Sequence, residues 1–388
     1  RWPQYKRRCT LRRLLVFALI AVASTASAQD SAAPRARDLG VPFDGTPGAL
    51  NAITDVPGVL VGHTTLLSGD GPRAVRTGVT AILPRRELGY YPASTYVLNG
   101  DAELSGAIFA EEFGLLRSPI MLTGTASNGT VYTAVIKWSA RRFPANPVHM
   151  PVVADTWDAD LSDYLAFPLR EEHVFAALDN ARTGPVPEGN VGGGTGMTCH
   201  EFKCGIGTAS RVLAADQGGF VVGVLVQANY GRREELRVAG VPVGREITVL
   251  QPEFHDAAPE APEAGGSVLV VVATNAPVSA LTLKAMARRA TLGLARNGAT
   301  ATPGSGDVVI AFATTSITVE PDPPHRVSGE TMYPYATEAL YHATIQATEE
   351  AVINALVAGR TMTGRNGSRV YGIPHDALRE ALRKYGRL

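Results

Sequence analysis

The run Val-Leu-Val-Val-Val at residues 268–272 is broken by no polar side chain. Aliphatic and β-branched residues without alternation describe a strand covered on both faces, so it belongs inside a sheet and not at an edge. What precedes it has the opposite character. Residues 252–266 hold Pro252, Pro259 and Pro262 among acidic and small residues and close on Gly265-Gly266, just before Ser267. Such a stretch reads as an exposed linker. A linker that feeds straight into a central strand is a poor domain boundary. It suits a chain that folds first and is cut afterwards, with strand 268–272 already paired to strands from before the linker. A serine after Gly-Gly ordinarily ends a turn and does nothing more. Here a cut between Gly266 and Ser267 would make it an N-terminus.

Strand-like runs fall at residues 58–62, 78–83, 119–122, 152–154 and 220–227, and helical patterns at 127–142, at 161–166 and from about 199. After the linker the pattern is plainer. Strand 268–273 leads to a helix at 281–296, stopped by Asn297-Gly298, a left-handed helix terminus. Strand 307–313, a long helix at 337–358 and an amphipathic helix at 376–385 follow. No internal repeat is visible.

The N-terminal region fixes the expected compartment. Residues 1–13 carry Arg1, Lys6, Arg7, Arg8, Arg12 and Arg13 and no acid, residues 14–23 are apolar, and Ala26-Ser27-Ala28 offers small residues for cleavage. The apolar core is short for a bilayer span, so residues 1–28 read as a secretory signal, with an uncleaved anchor as the alternative. A periplasmic or secreted chain beginning near Gln29 is expected. Acidic and basic residues balance at 36 each, and no basic stripe points to nucleic acid.

Cys9 would leave with the signal, and Cys199 and Cys204 are too few for a disulfide scaffold. On a helix, a separation of five fits disulfide geometry poorly, so free thiols are favoured. The eight histidines are scattered without an H-x-x-x-H pair, and Cys199-His200 with Cys204 lacks a second ligand pair, so neither metal nor cofactor is expected.

A free N-terminal Ser267 would carry nucleophile and base on one residue, because an α-amine with a pKa near 8 is partly neutral at pH 7. Before the cut, the hydroxyl attacks the Gly266 carbonyl, and the ester formed is hydrolysed. Glycine at 266 permits the backbone that exposes that carbonyl. Ser305 and Asp307 in "PGSGDVVIAF" sit two apart entering a strand, on one face, and are candidates to orient Ser267; an ordinary turn has the same spacing. Asn229 in "VLVQANYG" is a candidate oxyanion donor, although Asn often just ends a strand. Asp155 in "VVADTWD" is a candidate anionic pocket for a substrate amine, with Trp157 beside it.

Glycines 192, 193, 194 and 196 precede a helical pattern and would form a nest of N–H groups for phosphate or an oxyanion. They faintly resemble the loop of tubulin-like nucleotide-binding proteins. No Walker lysine accompanies them, and close packing of the glycines is the plainer reading. Two other readings thus stay open: a glycine-loop nucleotide-binding protein, and an exported binding protein with an inert Ser267.

Several longer motifs decide among these. "DLGVPFDGTPGALNAITDVPGVLVGH" (38–63), "GNVGGGTGM", "GIGTASR", "VLVQANYG", "GVPVGR", the Gly266-Ser267 joint and "SGD" (305–307) occur in order along the chain. Together they resemble the self-processing aminopeptidases with an N-terminal serine, namely the L-aminopeptidase/D-amino-acid esterase-amidases and the β-peptidyl aminopeptidases. The resemblance implies an α+β fold, an αββα sandwich of two sheets between helical layers. It is similar to N-terminal-nucleophile hydrolases but has its own connectivity. It also implies cleavage into a larger polypeptide (29–266) and a smaller one (267–388) that stay together as one domain, and a homotetramer of such pairs. Short peptides and amino-acid amides would be the substrates. Position by position, Ser267 matches the nucleophile, Ser305 and Asp307 its hydrogen-bonding partners, and Asn229 the oxyanion donor. Asp155 stands where the family usually has Glu to bind the substrate ammonium, with Trp157 at an aromatic pocket position. Asp307 stands where some β-peptidases carry Glu. These departures leave the choice among L-, D- and β-amino acids open.

Overall fold

The structure, a computed structural model, describes residues 34–255 and 266–388 apart from 316, 320–322 and 324–326. The expected signal at 1–28 and linker residues 256–265 lie outside the described residues. The chain first forms β1 (Leu60–Ser68), β2 (Val75–Leu83), β3 (Tyr91–Val97), α1 (Ala107–Phe113), β4 (Leu115–Leu116) and β5 (Ile120–Gly124). Then come α2 (Asn128–Arg142), β6 (Val152–Thr156), α3 (Glu171–Asp179), β7 (Thr198–Cys199), β8 (Phe202–Lys203), β9 (Ile206–Val212), β10 (Val221–Asn229) and α4 (Val243–Glu246). Past the linker lie β11 (Gly266–Thr274), α5 (Ala280–Arg296), β12 (Ser305–Ala313), α6 (Glu338–Val357) and α7 (His375–Lys384).

Two sheets result. One runs β1-β2-β5-β6, and the other β4-β3-β12-β11-β10-β9. As its composition requires, β11 is interior, antiparallel to β10 on one side and parallel to β12 on the other. A parallel neighbour needs a crossover, which α5 supplies. Alternation along β11 then sorts its side chains into two cores. Leu269, Val271 and Ala273 join Ile82, Leu122 and Ala154 of the first sheet in a core between the sheets. Val268, Val270 and Val272 pack instead with Leu283 and Met286 of α5 and Ala351 of α6. A third core places α2 and α3 against the outer face of the first sheet, through Val135, Trp138 and Val174. The layers are therefore helix, sheet, sheet, helix, the αββα sandwich expected.

Two expected helices are absent. Residues 161–166 form a loop ending in a single 3-10 turn at Tyr164–Ala166. The stretch from Cys199 is a hairpin, β7 to β8, turned by His200 and Glu201, both at positive φ. Two left-handed residues in succession make the tight turn that joins antiparallel strands. The hairpin also revises the cysteine expectation, because it brings the two Cα atoms to 5.7 Å and Cys199 and Cys204 are bonded.

Candidate active site

Gly266 opens β11 at φ +151°, and a Cβ there would collide with the Asn229 carbonyl oxygen. Only glycine fits that approach. Ser267, 6% exposed, lies directly opposite Asn229 across the antiparallel ladder and beside Gly306 in the parallel one. It is in phase with Leu269, so its side chain belongs to the face between the sheets. Its Oγ accepts the Gly306 N–H at 3.2 Å and donates to no group among the described residues. Among the described residues, the hydroxyl proton is therefore uncommitted.

Ser305 and Asp307 are brought to the same corner but on the alternate face of β12. Ser305 Oγ donates to Asp307 Oδ1 at 2.8 Å, and Asn99 Nδ2 reaches Asp307 Oδ2 at 3.4 Å. Burial raises the Asp307 carboxyl, while bonds from Ser305, Asn99 and the Val268 N–H lower it. In this uncut chain the pair thus holds the backbone one residue past Ser267 and not its hydroxyl. Asn99 was missed from the sequence, where "LNGD" reads only as a turn.

Asn229 has both ends of its amide anchored. Its Oδ1 accepts the Thr198 N–H at 2.8 Å, and Nδ2 donates to the Trp157 carbonyl at 2.9 Å. Since one anchor can only donate and the other only accept, the orientation of the amide is fixed. One Nδ2 hydrogen remains for another acceptor, on the face shared with Ser267.

Asp155 sits near the end of β6, in phase with Val153 and not with Val152 and Ala154, so alternation puts its side chain on the α2 side of the first sheet and not in the gap that Ser267 faces. Its carboxylate, 3% exposed, accepts from Asn128 Nδ2 at 2.8 Å, from the Glu103 N–H at 3.3 Å, and from the Thr125 hydroxyl. Burial is the largest influence and raises its pKa, with the neighbouring Glu103 charge adding to the rise. Asp158 beside it is pushed up to about 6, again chiefly by burial. Trp157 lies just past the strand, and its ring packs on Tyr164 at 4.9 Å. Tyr164 and Glu103 are members of this corner that sequence reasoning did not pick out.

The glycine segment has a packing role. Gly192 N–H donates to Thr65 Oγ1 and Gly193 N–H to Thr80 Oγ1, so these donors are spent inside the fold. A Cβ on Gly193 would strike Gln227 and the Leu122 backbone, and one on Gly194 the backbone at Ile206. The glycines let the two sheets meet, and no phosphate nest is left. Among the described residues no group of His, Cys, Asp or Glu could hold a metal ion, and no helix is long and apolar enough to cross a membrane.

A four-layer sandwich of this kind, with Ser267 second on an interior strand, is a variant of the N-terminal-nucleophile hydrolase fold, and the solved structures this chain is similar to share it. An L-aminopeptidase D-Ala-esterase/amidase from Ochrobactrum anthropi, described as a prototype of the serine aminopeptidases, superposes with a TM-score of 0.83 at 40% identity, over 92% of this chain and 99% of that one. A β-aminopeptidase from a Burkholderia species gives 0.82 at 43%, over 91% and 99%. In sequence, the β-peptidyl aminopeptidase BapA of Sphingosinicella xenopeptidilytica is 47% identical over 95% of both chains. The model of peptidase family S58 matches residues 51–370. The chain belongs to peptidase family S58, and it is an aminopeptidase.

Proposed function

We propose that the chain is exported, cuts itself between Gly266 and Ser267, and then removes N-terminal residues from short peptides, amides and esters through an acyl-enzyme on Ser267. The observation that carries this reading is the placement of Ser267: first after a strained glycine, on a central strand, facing a fixed amide. In the precursor, Oγ attacks the Gly266 carbonyl carbon and the C–N bond to Ser267 breaks as that nitrogen takes up a proton. Water then hydrolyses the ester, leaving a Gly266 carboxylate and a free Ser267 amine. In turnover the neutral amine takes the hydroxyl proton, Oγ attacks the substrate carbonyl, and the leaving amine receives the proton. The free Nδ2 hydrogen of Asn229 meets the oxyanion. Asp307 and Ser305 hold the backbone of the nucleophile in place. The cut pairs assemble as tetramers.

Asp155 receives the substrate ammonium, with Trp157 and Tyr164 walling the pocket. A carboxylate held this way makes the enzyme an exopeptidase, since an acetylated N-terminus leaves the pocket charge unpaired. Ionic hydrogen bonds of this kind are worth about 1.5–3 kcal/mol, so acetylation should cost at least about tenfold in kcat/KM. Rates on L-Ala, D-Ala and β-Ala p-nitroanilides, each beside its acetylated form, test it. Equal cleavage of free and acetylated forms would remove Asp155 from the role. The shorter Asp leaves the pocket one methylene deeper than Glu would, which supports β-Ala as the best of the three. Because the Asp155 carboxyl is raised, it is ionised only above that raised value, and KM for the free amines should climb as pH falls through it.

A further inference from the structure

Lys203 is fully buried on β8, and no carboxylate among the described residues pairs with it. Its Nζ donates instead to two backbone carbonyls, Met197 O and Cys204 O, each at 2.7 Å. An unpaired ammonium is a costly way to tie two carbonyls together, because burying a charge without a counter-charge is strongly unfavourable. The carbonyl it grips explains the choice. Met197 O belongs to the peptide unit whose N–H, that of Thr198, donates to Asn229 Oδ1. A hydrogen-bonded chain therefore runs from the ammonium through one peptide to the side-chain amide opposite Ser267. Each bond in such a chain polarises the next.

We propose that Lys203 is a positioning residue that strengthens Asn229 as an oxyanion donor through the Met197–Thr198 peptide. The inference rests on the reading of Asn229 given above. The ammonium draws electron density from the Met197 carbonyl, which sharpens the Thr198 N–H as a donor. That bond draws density from the Asn229 carbonyl in turn, leaving its Nδ2 hydrogens more positive. The surrounding hairpin keeps the relay in register. Cys199 and Cys204, one on each arm, are bridged, and the His200 N–H is tied to the Tyr230 carbonyl at 2.8 Å.

Charge on the relay depends on pH. Burial brings the Lys203 pKa down to about 7. Titratable and charged groups on the elements around it are His200 and Glu201 in the hairpin turn, Tyr230, Arg232 and Arg233 after β10, Asp158 and Asp160 after β6, and Arg360 and Tyr371 in the covering C-terminal segment. None of their side chains bonds to the ammonium. His200 is held near 4 and the Tyr230 phenol is raised, both by burial, so neither changes charge between pH 5 and 9. Asp158, pushed up to about 6, does change charge there, in wild type and Lys203 variants alike, so the comparison between them removes it.

The test compares wild type with Lys203→Met, and with Lys203→Gln, which keeps a donor but no charge. Rates are measured on β-Ala p-nitroanilide per cut chain. Both variants should lose about tenfold in kcat at pH 6, a fraction of what a whole oxyanion donor supplies, with KM changed less than about twofold. The ratio of wild-type to variant kcat should fall towards one by pH 9, with its midpoint near 7. Titration of the Ser267 amine is common to both and cancels. A ratio that stays flat with pH, or a full loss in the Asn229→Ala background as well, overturns the relay. Wild-type turnover in Asn229→Ala alone would overturn the oxyanion reading first. If neither Lys203 variant folds, the ratio of wild-type to Asn229→Ala kcat decides, because the Ser267 amine cancels there too. It should fall from pH 6 to pH 9 with its midpoint near 7, and a ratio flat with pH sinks the proposal.

Discussion

Ser267→Ala is expected to purify as one uncut, folded chain with no measurable aminopeptidase activity, while the wild type runs as two bands on a denaturing gel. The wild-type bands should differ in length by about two to one, and the smaller should begin Ser267-Val268-Leu269. Loss of a catalytic nucleophile typically removes on the order of 10⁶ in kcat. Here it also removes the cut that frees the base, so both deficits fall on one substitution. The fold should survive. Ser267 Oγ only accepts one bond, from the Gly306 N–H, and leaving that donor unpaired costs about 1–3 kcal/mol. The β11 ladder to β10 and β12 is unaffected. Edman sequencing of the small band is the decisive measurement, and any other first residue moves the joint. Ser267→Cys should still be cut, since a thiol supports the same acyl shift. A Ser267→Ala protein that arrives already cleaved would mean another protease makes the break.

The parts of this fold that rest on apolar runs could be read in advance. β11, β12, α5, α6 and α7 fall within two residues of where the pattern placed them, because each buries a continuous apolar face. β9 escaped for a physical reason. Its sequence, IGTASRV, is polar, yet nearly all of it is buried. Thr208 Oγ1 bonds the Val224 carbonyl, Ser210 Oγ bonds Asp55, and Arg211 pairs with Glu350, itself held by Arg37. Partners up to 155 residues away satisfy these groups, and nothing local announces them. The hairpin at Cys199 was hidden likewise, since His200 and Glu201 are not the glycine or asparagine that usually mark such a turn.

The site divides along the same line. Ser267 was singled out because linker and central strand contradict each other there, and Ser305 and Asp307 because they sit two apart entering a strand. Asn99, Glu103, Tyr164 and Thr198 join only through tertiary structure. Segment 98–105 shows why. Leu98 and Asp101 bond backbone to β12, while Ser105 and Glu103 reach β6 and Asp155. One short loop thus ties the Ser267 corner to the proposed amine pocket, with no motif to reveal it.

Asn229→Ala should lower kcat by about a hundredfold or more with the fold intact, since a lost oxyanion donor costs roughly 3 kcal/mol in the transition state. Two features set this apart from ordinary loss of a buried amide. The residue ends β10 at the mouth of the site, 8% exposed, so water can reach the Thr198 N–H and Trp157 carbonyl that the substitution releases. Stability should therefore fall by only about 1–2 kcal/mol. In addition, the cut at Gly266 builds negative charge on a carbonyl oxygen just as turnover does, so processing should slow along with catalysis. A time course of precursor disappearance, set beside kcat for whatever fraction has been cut, separates the two effects. KM for the free amine should stay close to wild type, because Asp155 keeps its bonds to Asn128, Thr125 and the Glu103 N–H. If turnover and processing both remain normal, the oxyanion must be met elsewhere. The Gly306 N–H, already on Ser267 Oγ, is the donor that would then inherit the role.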